Sequence, residues 1–398
     1  MRVLHIYKTY RHQGFGGVEQ LMSELCHATT DLGVSNTIAT IGRRREVLHH
    51  PEASIHTFPA ELTLASNPFS LGMYRALPAL MRNADVIHCQ FPWPTADAML
   101  GLLRPSQPVV VTYNSDIVRQ RLLLKLYRPL MRRFFDRARV LVATSSNYVR
   151  TSQELQPYRH KVRVIPIGLS PQRYPASAPD RLAHWRSRVG EGFFLFVGVM
   201  RYYKGLHILL DACAGTQIPV LIVGAGPTEK ELQRQAKRLG LAHVRFLGQL
   251  PEEDKIALLE LCRAVVFPSH LRAEAFGVSL LEGAMFGKPL ISAEIGTGSS
   301  FVNLHGQTGI VVPPSDPAAL REAMLSLLAD PEWAASMGRA ARERYLRHFQ
   351  AREMGEAYLQ LYRESLEPAC AKPLTEPGAV PGSEPAAPSY AGSRSDAG

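Results

Sequence analysis

The stretch AVVFPSHLRAEAFGVSLLEGAMFGKP, residues 264–289, decides the fold because a strand, a loop and a helix follow one another within it. The apolar residues 264–267 predict a buried strand, and the residues after Gly277 predict a helix. Two carboxylates, Glu274 in the loop and Glu282 in the helix, enclose a mostly apolar segment. A short strand that is apolar throughout is typical of a parallel sheet covered by helices on both faces.

The same succession of strand and helix recurs along the chain. Apolar, β-branched strand candidates begin at residues 2, 37, 85, 108, 139 and 161, and a second series begins at 193, 219, 243, 264 and 289. Amphipathic helical patterns separate many of them. The sequence therefore predicts an α/β protein with two Rossmann-like, doubly wound domains that face a cleft, where the carboxyl ends of parallel strands bind ligands.

Changes in composition predict the limits of these domains. The first covers residues 1–168 and the second 169–347, because the Pro- and Ser-rich segment 170–180 is typical of a linker. A last helix is predicted at 348–366. The remaining segment, 367–398, is rich in Pro, Ala, Gly and Ser, and we expect it to be disordered because it has little apolar surface to bury.

The bulk composition limits the class of protein. An apolar content of 46% with 20% charged residues in 398 residues is typical of a globular chain of two domains. There is no apolar run of transmembrane length and no secretory signal, so we expect a cytoplasmic protein. The five scattered cysteines favour reduced thiols over disulfides or a zinc site. The net charge of +10 suggests an anionic partner, such as a nucleotide, a phospholipid surface or a nucleic acid.

A glycine-rich turn near the start has the composition of a phosphate-binding loop. In RHQGFGGVEQ, residues 11–20, Gly14, Gly16 and Gly17 lie between a predicted strand and a predicted helix. Glycine lets the backbone approach a ligand, and a helix N-terminus attracts phosphate. An ordinary strand-to-helix turn would have the same composition, so the turn alone leaves both interpretations open.

Two cations follow a strand of the second series. In FVGVMRYYKGL, Arg201 and Lys204 lie where they could hold a diphosphate and stabilise it as it leaves. Glu274 stands before the free N–H groups of a helix start, so it and Glu282 could together bind a polyhydroxylated ligand such as a sugar nucleotide. The alternatives are solvated surface cations and a surface helix with a capping acid.

In their order and spacing, EAFGVSLLE, RYYKG and GFGGVE resemble the motifs of family 4 retaining glycosyltransferases of the GT-B fold, over most of residues 1–366. The resemblance implies that Glu274 is a catalytic residue that contacts the donor sugar, and that Glu282 contacts the nucleotide ribose. It implies that Arg201 and Lys204 neutralise the diphosphate. We therefore expect no metal and no other cofactor.

The same resemblance assigns the remaining donor-binding residues and the last helix. Gly16 and Gly17 would line the phosphate side from the first domain. The backbone of Phe276, Gly277 and Val278 would assist from the second, and the last helix would cross back to the first domain.

A longer stretch, residues 269–303, is similar to bacterial polysaccharide transferases that use GDP-mannose or GDP-D-rhamnose. This similarity implies transfer of D-mannose or D-rhamnose, with retention, to a polyprenyl-diphosphate-linked glycan in lipopolysaccharide O-antigen or common-antigen biosynthesis. A UDP-sugar donor and a non-catalytic GT-B partner subunit remain as alternatives.

One residue departs from the family pattern. In VVVTYNSDI, residues 109–117, Asn114 stands where the family commonly has a histidine near the reacting centre. Asparagine donates and accepts hydrogen bonds but does not titrate. A retaining transfer can use the leaving phosphate as its base, so Asn114 stays a second catalytic candidate. We hypothesise that it suits a donor without a sugar 6-hydroxyl, such as D-rhamnose.

A strongly basic segment, residues 116–140, has eight lysines and arginines against two aspartates, interleaved with apolar residues. Such a segment predicts contact with an anionic membrane, at the inner face of the cytoplasmic membrane where a lipid-linked acceptor would lie. The alternative is a helix whose apolar residues face the sheet. We expect no nucleic-acid partner, because no module for nucleic-acid binding is recognisable.

Overall fold

The computed structural model describes residues 1–10, 16–64, 67–117 and 121–367, and only the backbone of residues 121–126. The segment predicted to be disordered lies outside the described residues from 368 onward, as do Gly14 of the glycine-rich turn and Arg119 of the basic segment.

The first half of the chain forms an eight-stranded sheet within the described residues, in the order β10-β9-β8-β7-β1-β2-β4-β3, and β3 alone pairs antiparallel. Its strands are β1 (Arg2–Ile6), β2 (Ser35–Gly42), β3 (Glu46–His49), β4 (Ser54–Pro59), β7 (Val86–Phe91), β8 (Val109–Tyr113), β9 (Val140–Ala143) and β10 (Val162–Val164). A separate hairpin consists of β5 (Leu62–Leu64) and β6 (Asn67–Phe69). The helices are α1 (Gly17–Asp31), α2 (Leu71–Arg82), α3 (Pro94–Leu103), α4 (Arg121–Arg137) and α5 (Ser146–Thr151).

The second half forms a parallel six-stranded sheet in the order β13-β12-β11-β14-β15-β16. Its strands are β11 (Phe194–Val197), β12 (Val220–Val223), β13 (Val244–Gly248), β14 (Ala264–Phe267), β15 (Leu290–Ala293) and β16 (Gly309–Val312). The helices are α6 (Pro179–Val189), α7 (Leu206–Cys213), α8 (Glu229–Arg238), α9 (Glu252–Leu261), α10 (Val278–Met285), α11 (Ser299–Val302), α12 (Pro317–Ala329), α13 (Pro331–His348) and α14 (Ala351–Leu366). None of the helices in the described ranges is long and apolar enough to span a membrane.

The strand order of the second sheet fixes where its ligand site lies. The chain starts at β11 in the middle, proceeds outward to β13, and returns to β14 on the other side of β11. The loops after β11 and β14 therefore diverge from neighbouring strands, and this reversal point is where doubly wound sheets bind ligands. These two loops contain the sequence motifs of Lys204 and Glu274.

The last helix confirms the predicted return to the first domain. α14 packs along α1, and its tyrosine hydroxyls enter the first sheet. Tyr358 Oη lies 2.8 Å from Thr112 Oγ1, and Tyr362 Oη lies 2.8 Å from His88 Nδ1. All four side chains are buried. α14 thus packs as part of the first domain, although it follows the second domain in the sequence.

The two chain segments that cross between the sheets lie side by side. Leu169 N donates to Phe349 O at 2.9 Å, and Ala351 N donates to Leu169 O at 3.0 Å. Tyr345 Oη also donates to the Leu169 carbonyl, at 2.8 Å. The segment 170–180, predicted as a linker, is thus fixed at its start, and α6 begins inside it.

Candidate active site

Lys204 and Glu274 meet at the reversal point of the second sheet. Gly205, with a φ of 70°, brings the two loops together, since a Cβ there would lie 2.0 Å from Pro268 O. The ammonium of Lys204 donates to Glu274 Oε2, and Ser269 Oγ donates to the same oxygen at 3.2 Å. Burial is the largest single cause and lowers the pKa of Lys204, but the combined effects of Glu274 and Tyr203 exceed it, so that the net shift is upward. Lys204 therefore keeps its positive charge in a buried place.

The N-termini of two helices meet beside this ion pair. α10 begins after Gly277, whose φ of 93° favours glycine. Among the described hydrogen bonds, the N–H groups of Phe276, Gly277 and Val278 have no protein acceptor. A Cβ at Gly17, the first residue of α1, would lie 3.6 Å from Val278 Cγ2. Because each helix N-terminus carries a partial positive charge, both favour an anion between them.

Phe276 and Gly16 both lie at these helix N-termini, and both contribute through their backbone. The Phe276 ring is buried near Phe301 and Phe349, so Phe276 offers a ligand its backbone alone. Gly16 is the N-cap of α1, where a Cβ would lie 2.3 Å from the Glu19 carboxylate. Backbone atoms and not side chains thus form this part of the site.

Arg201 supplies a second cation at the same crevice. It is exposed and precedes the short turn that ends at Lys204. Lys8 follows β1 of the other domain, and burial lowers its pKa; Glu19 opposes this shift, and the charge of Arg201 adds to it. The sequence analysis did not include Lys8. Its position just after a predicted strand, where parallel sheets bind ligands, could have indicated it as a site residue.

Glu282 lies inside α10 and is held by residues of two other segments. Lys255 Nζ lies 2.6 Å from Glu282 Oε1, and Tyr174 Oη donates to the same oxygen at 3.0 Å. Gln20 of α1 donates to Tyr174 Oη at 3.2 Å. Lys255 also pairs with Glu252 at 2.6 Å. No local sequence pattern indicates these partners, because they are far from Glu282 in the chain.

Asn114 lies at the carboxyl end of β8 and is buried. Its Nδ2 donates to Gln90 Oε1 at 2.9 Å and to Phe91 O at 3.1 Å. The amide nitrogen thus joins the ends of β7 and β8. No hydrogen bond to its Oδ1 is found within the described residues, and this oxygen is the atom that could face a ligand. The catalytic role of Asn114 stays a prediction.

An ion pair joins the two domains two residues beyond Asn114 and two residues before Glu274. Arg272 Nη2 lies 3.0 Å and Nε 3.2 Å from Asp116 Oδ2. Arg272 Nη1 also donates to Thr151 Oγ1 at 2.9 Å and to Gly296 O at 3.0 Å. We call this cross-domain pair the Asp116–Arg272 clasp. Sequence reasoning missed it, since the two residues are 156 positions apart.

A cavity of about 370 Å³ opens beside the clasp, on the side of the first domain. Phe91, Tyr113 and Met131 provide apolar walls, and the ion pair of Arg128 with Glu154, at 2.6 Å, lies at its rim. The cavity has the mixed lining that ligand sites commonly have.

The basic helix α4 turns its apolar residues inward over its described part. Met131, Phe134 and Phe135 are buried against the sheet, while Arg132, Arg133 and Arg137 are exposed. This agrees with the alternative that the apolar residues of the helix face the sheet, and it leaves a cationic face directed outward.

Within the described ranges, no group of three or more His, Cys, Asp or Glu side chains is placed to hold a metal ion.

Two family models match the chain in the order of its two sheets. "Glycosyltransferase Family 4" matches residues 15–173, and "Glycosyl transferases group 1" matches residues 181–344. The D-rhamnosyltransferase WbpZ of Pseudomonas aeruginosa is 54% identical over 88% of this chain and 93% of its own length. The O-antigen chain mannosyltransferase C of Escherichia coli is 46% identical over 92% of this chain and 99% of its own length.

A solved structure shows the same fold at low identity. The sucrose-phosphate synthase of Thermosynechococcus elongatus superposes with a TM-score of 0.74 at 22% identity, over 91% of this chain and 98% of that chain. The predicted family and fold class are confirmed. The chain therefore belongs to the family 4 glycosyltransferases of the GT-B fold and is a hexosyltransferase, which takes a sugar from a nucleotide-sugar donor to a glycan acceptor.

Proposed function

We propose that this enzyme transfers D-mannose or D-rhamnose from a GDP-sugar, with retention of configuration, to a lipid-linked glycan in O-antigen biosynthesis. The sugars follow from the relatives named above, a D-rhamnosyltransferase and an O-antigen chain mannosyltransferase. The proposal needs no metal, because cations and helix N-termini of the protein supply the charge that a leaving diphosphate requires.

One observation carries the proposal: the Lys204–Glu274 pair lies beside two helix N-termini and Arg201. A diphosphate bound between the N-termini of α1 and α10 would be met by N–H groups from both domains. Lys204 would be shared between the diphosphate and Glu274. Glu274 would in turn orient the sugar by accepting hydrogen bonds from its hydroxyls. The site thus unites charge stabilisation with sugar binding.

The reaction follows from this placement. The acceptor hydroxyl oxygen bonds to the anomeric carbon on the face from which the diphosphate oxygen departs. Its proton passes to that departing oxygen, so neither Glu274 nor Asn114 has to act as the base. Arg201, Lys204 and the helix N-termini stabilise the negative charge that develops on the diphosphate. Both products then leave the cleft.

The acceptor is proposed to bind on the first domain, in the cavity beside the Asp116–Arg272 clasp. This cavity lies on the side of β8 and α4, where Arg132 and Arg133 extend outward. Exposed arginines attract anionic headgroups and the diphosphate of a lipid carrier alike. We accordingly propose that the enzyme acts peripherally at the inner face of the cytoplasmic membrane.

Saturation-transfer NMR with GDP-mannose, GDP-D-rhamnose and a UDP- and an ADP-sugar tests the donor assignment. We expect contacts from the guanine nucleotide and from its sugar in the wild type, and loss of the sugar contacts in Glu274→Ala. Glu332→Ala is the matched control, because Glu332 is an exposed acid in the first turn of α13. A transfer assay with a lipid-linked glycan then follows.

The other outcomes are equally clear. Preferred contact with a UDP-sugar would contradict the donor and keep the fold. Absence of contact with every nucleotide sugar would favour a non-catalytic partner subunit. Equal or better turnover of GDP-mannose than of GDP-D-rhamnose would contradict the hypothesis that Asn114 suits a 6-deoxy sugar.

A further inference from the structure

The β5–β6 hairpin exposes apolar side chains that the proposed reaction does not use. Leu62 is 61% exposed, Leu64 69% and Phe69 37%, and Leu71, just after the hairpin, is 38% exposed. Single exposed leucines are ordinary on protein surfaces. Four such residues within one short segment form a patch, and patches of this kind mark interaction sites.

The base of this hairpin is held firmly, so the exposure does not come from a loose loop. Glu61 N donates to Phe69 O at 3.1 Å, and Leu71 N donates to Glu61 Oε2 at 2.8 Å. Trp93 Nε1, at the start of α3, donates to Pro68 O at 3.3 Å. The backbone is thus fixed to the first domain, and the apolar side chains are presented outward from a fixed base.

Three consecutive arginines lie next to the hairpin. In the register of β2 with β4, Gly42 pairs with Pro59. Arg43, Arg44 and Arg45 follow Gly42 directly and are exposed, and the hairpin begins three residues after Pro59. The arginines and the hairpin therefore leave the sheet at the same corner.

The charge of this corner is only partly neutralised. Among the described ion pairs, Arg44 has a carboxylate partner, Glu46, at 2.8 Å, and none is found for Arg43 or Arg45. Arg75, one helical turn after Leu71, is also exposed. An apolar cluster bordered by cations has the composition of a surface that binds an anionic bilayer: apolar side chains enter the acyl boundary and the cations meet the headgroups.

We propose that Leu62, Leu64, Phe69 and Leu71, together with Arg43–Arg45, form a membrane-docking surface that inserts into an anionic leaflet. The proposal rests on the proposed function in one respect, namely that the acceptor is lipid-linked. β4 and β8 belong to the parallel part of one sheet, so the hairpin and Asn114 lie at the same carboxyl edge. Docking through the hairpin therefore turns the cleft toward the bilayer, where such an acceptor lies.

Insertion can be measured directly with a tryptophan probe. In Leu64→Trp, brominated phosphatidylglycerol vesicles should quench the added fluorescence, relative to wild type. Leu325→Trp is the matched control, because Leu325 is 45% exposed on α12 of the other domain. Equal quenching of both probes, or quenching of neither, would overturn the proposal.

Sedimentation with vesicles then tests whether the surface is needed. Leu62→Glu/Leu64→Glu should weaken binding to phosphatidylglycerol vesicles by about tenfold or more, since charged side chains oppose entry into the acyl boundary. Leu325→Glu/Leu346→Glu, with two comparably exposed leucines of the second domain, should bind as wild type does. Arg43→Gln/Arg45→Gln should weaken binding to phosphatidylglycerol vesicles but not to pure phosphatidylcholine vesicles.

Each result separates this proposal from its competitors. Detachment by Arg132→Gln/Arg133→Gln, with the hairpin variants bound as wild type, would assign docking to α4 and overturn the proposal. Failure of the wild type to bind any vesicle would overturn it as well. The same variants are examined for donor contacts by NMR: vesicle binding without donor contacts would contradict the proposed function and leave the docking surface in place.

Discussion

Burial keeps the Asp97 side chain protonated at neutral pH. Asp97 is buried in α3 and accepts a hydrogen bond from Tyr127 of α4. Burial raises the pKa of Asp97 to about 8, although the hydrogen bond from Tyr127 opposes this shift. The folded protein therefore retains a proton that the unfolded chain releases from about pH 4 upward. The contribution of Asp97 to the stability of the fold falls as the pH rises from about 4 to about 8.

Replacing Asp97 by asparagine should remove this dependence. We expect Asp97→Asn to raise the free energy of unfolding at pH 8 by several kcal/mol, at most about 5, and to change it little at pH 4, where the side chain of the folded state is neutral in both proteins. Denaturant titrations at the two pH values measure the difference. Asp85→Asn is a control of opposite sign, because hydrogen bonds from Arg2 lower the pKa of Asp85. Parallel pH profiles for Asp97→Asn and wild type would contradict this account.

The sequence analysis named candidate residues of the site but not their partners. Lys204 and Glu274 were predicted from motifs that each follow a strand. Their direct pairing depends on the reversal of strand order, which no local pattern contains. Likewise, Glu282 was predicted as a ribose contact, whereas Lys255 and Tyr174, which hold it, come from distant segments.

Among the larger elements, α14 depends on buried hydroxyls for its attachment to the first sheet. Tyr362→Phe keeps the ring and removes the hydroxyl that lies 2.8 Å from His88 Nδ1. A buried ring nitrogen without a partner costs about 1–3 kcal/mol, so we expect a fall in Tm of roughly 2–10 °C. Calorimetry measures the Tm of Tyr362→Phe. Tyr202→Phe is the control, because Tyr202 is exposed. An unchanged Tm would show that water replaces the hydroxyl.

Strands of the parallel sheets were easier to predict than the remaining elements. β8 and β14 are buried over their whole length, and their sequences are almost entirely apolar. β5 and β6 have three residues each and expose apolar side chains. They are too short to show an alternating pattern, and they lack the apolar run of a buried strand. α2 was missed as well, since Pro78 interrupts its helical pattern.

For the molecule as a whole, the Asp116–Arg272 clasp sets how the acceptor side meets the donor side. Arg272→Gln should leave donor binding nearly unchanged and lower kcat by about tenfold or more, because small misplacements of reacting groups are costly. Donor titration and turnover together measure this split. Asp116→Asn should have the same effect, and the double variant should be no worse than either single variant.

A surface pair provides the control for the clasp. Arg186 and Glu191 form an ion pair within the second domain, and both side chains are about half exposed. Arg186→Gln should therefore change neither kcat nor donor binding. Equal loss of kcat in Arg186→Gln and Arg272→Gln, or strictly additive effects of Asp116→Asn and Arg272→Gln, would contradict the role given to the clasp.

The two adjacent crossings at Leu169 and Gln350 determine how the domains can move. A single flexible connection would allow rotation in every direction. Two crossings joined by backbone hydrogen bonds resist torsion much more than bending, because twisting would shear the bonds between them. We therefore expect the two domains to move mainly by rotation about one line through these residues. Each closure would then bring the donor loops and the acceptor edge back to the same alignment.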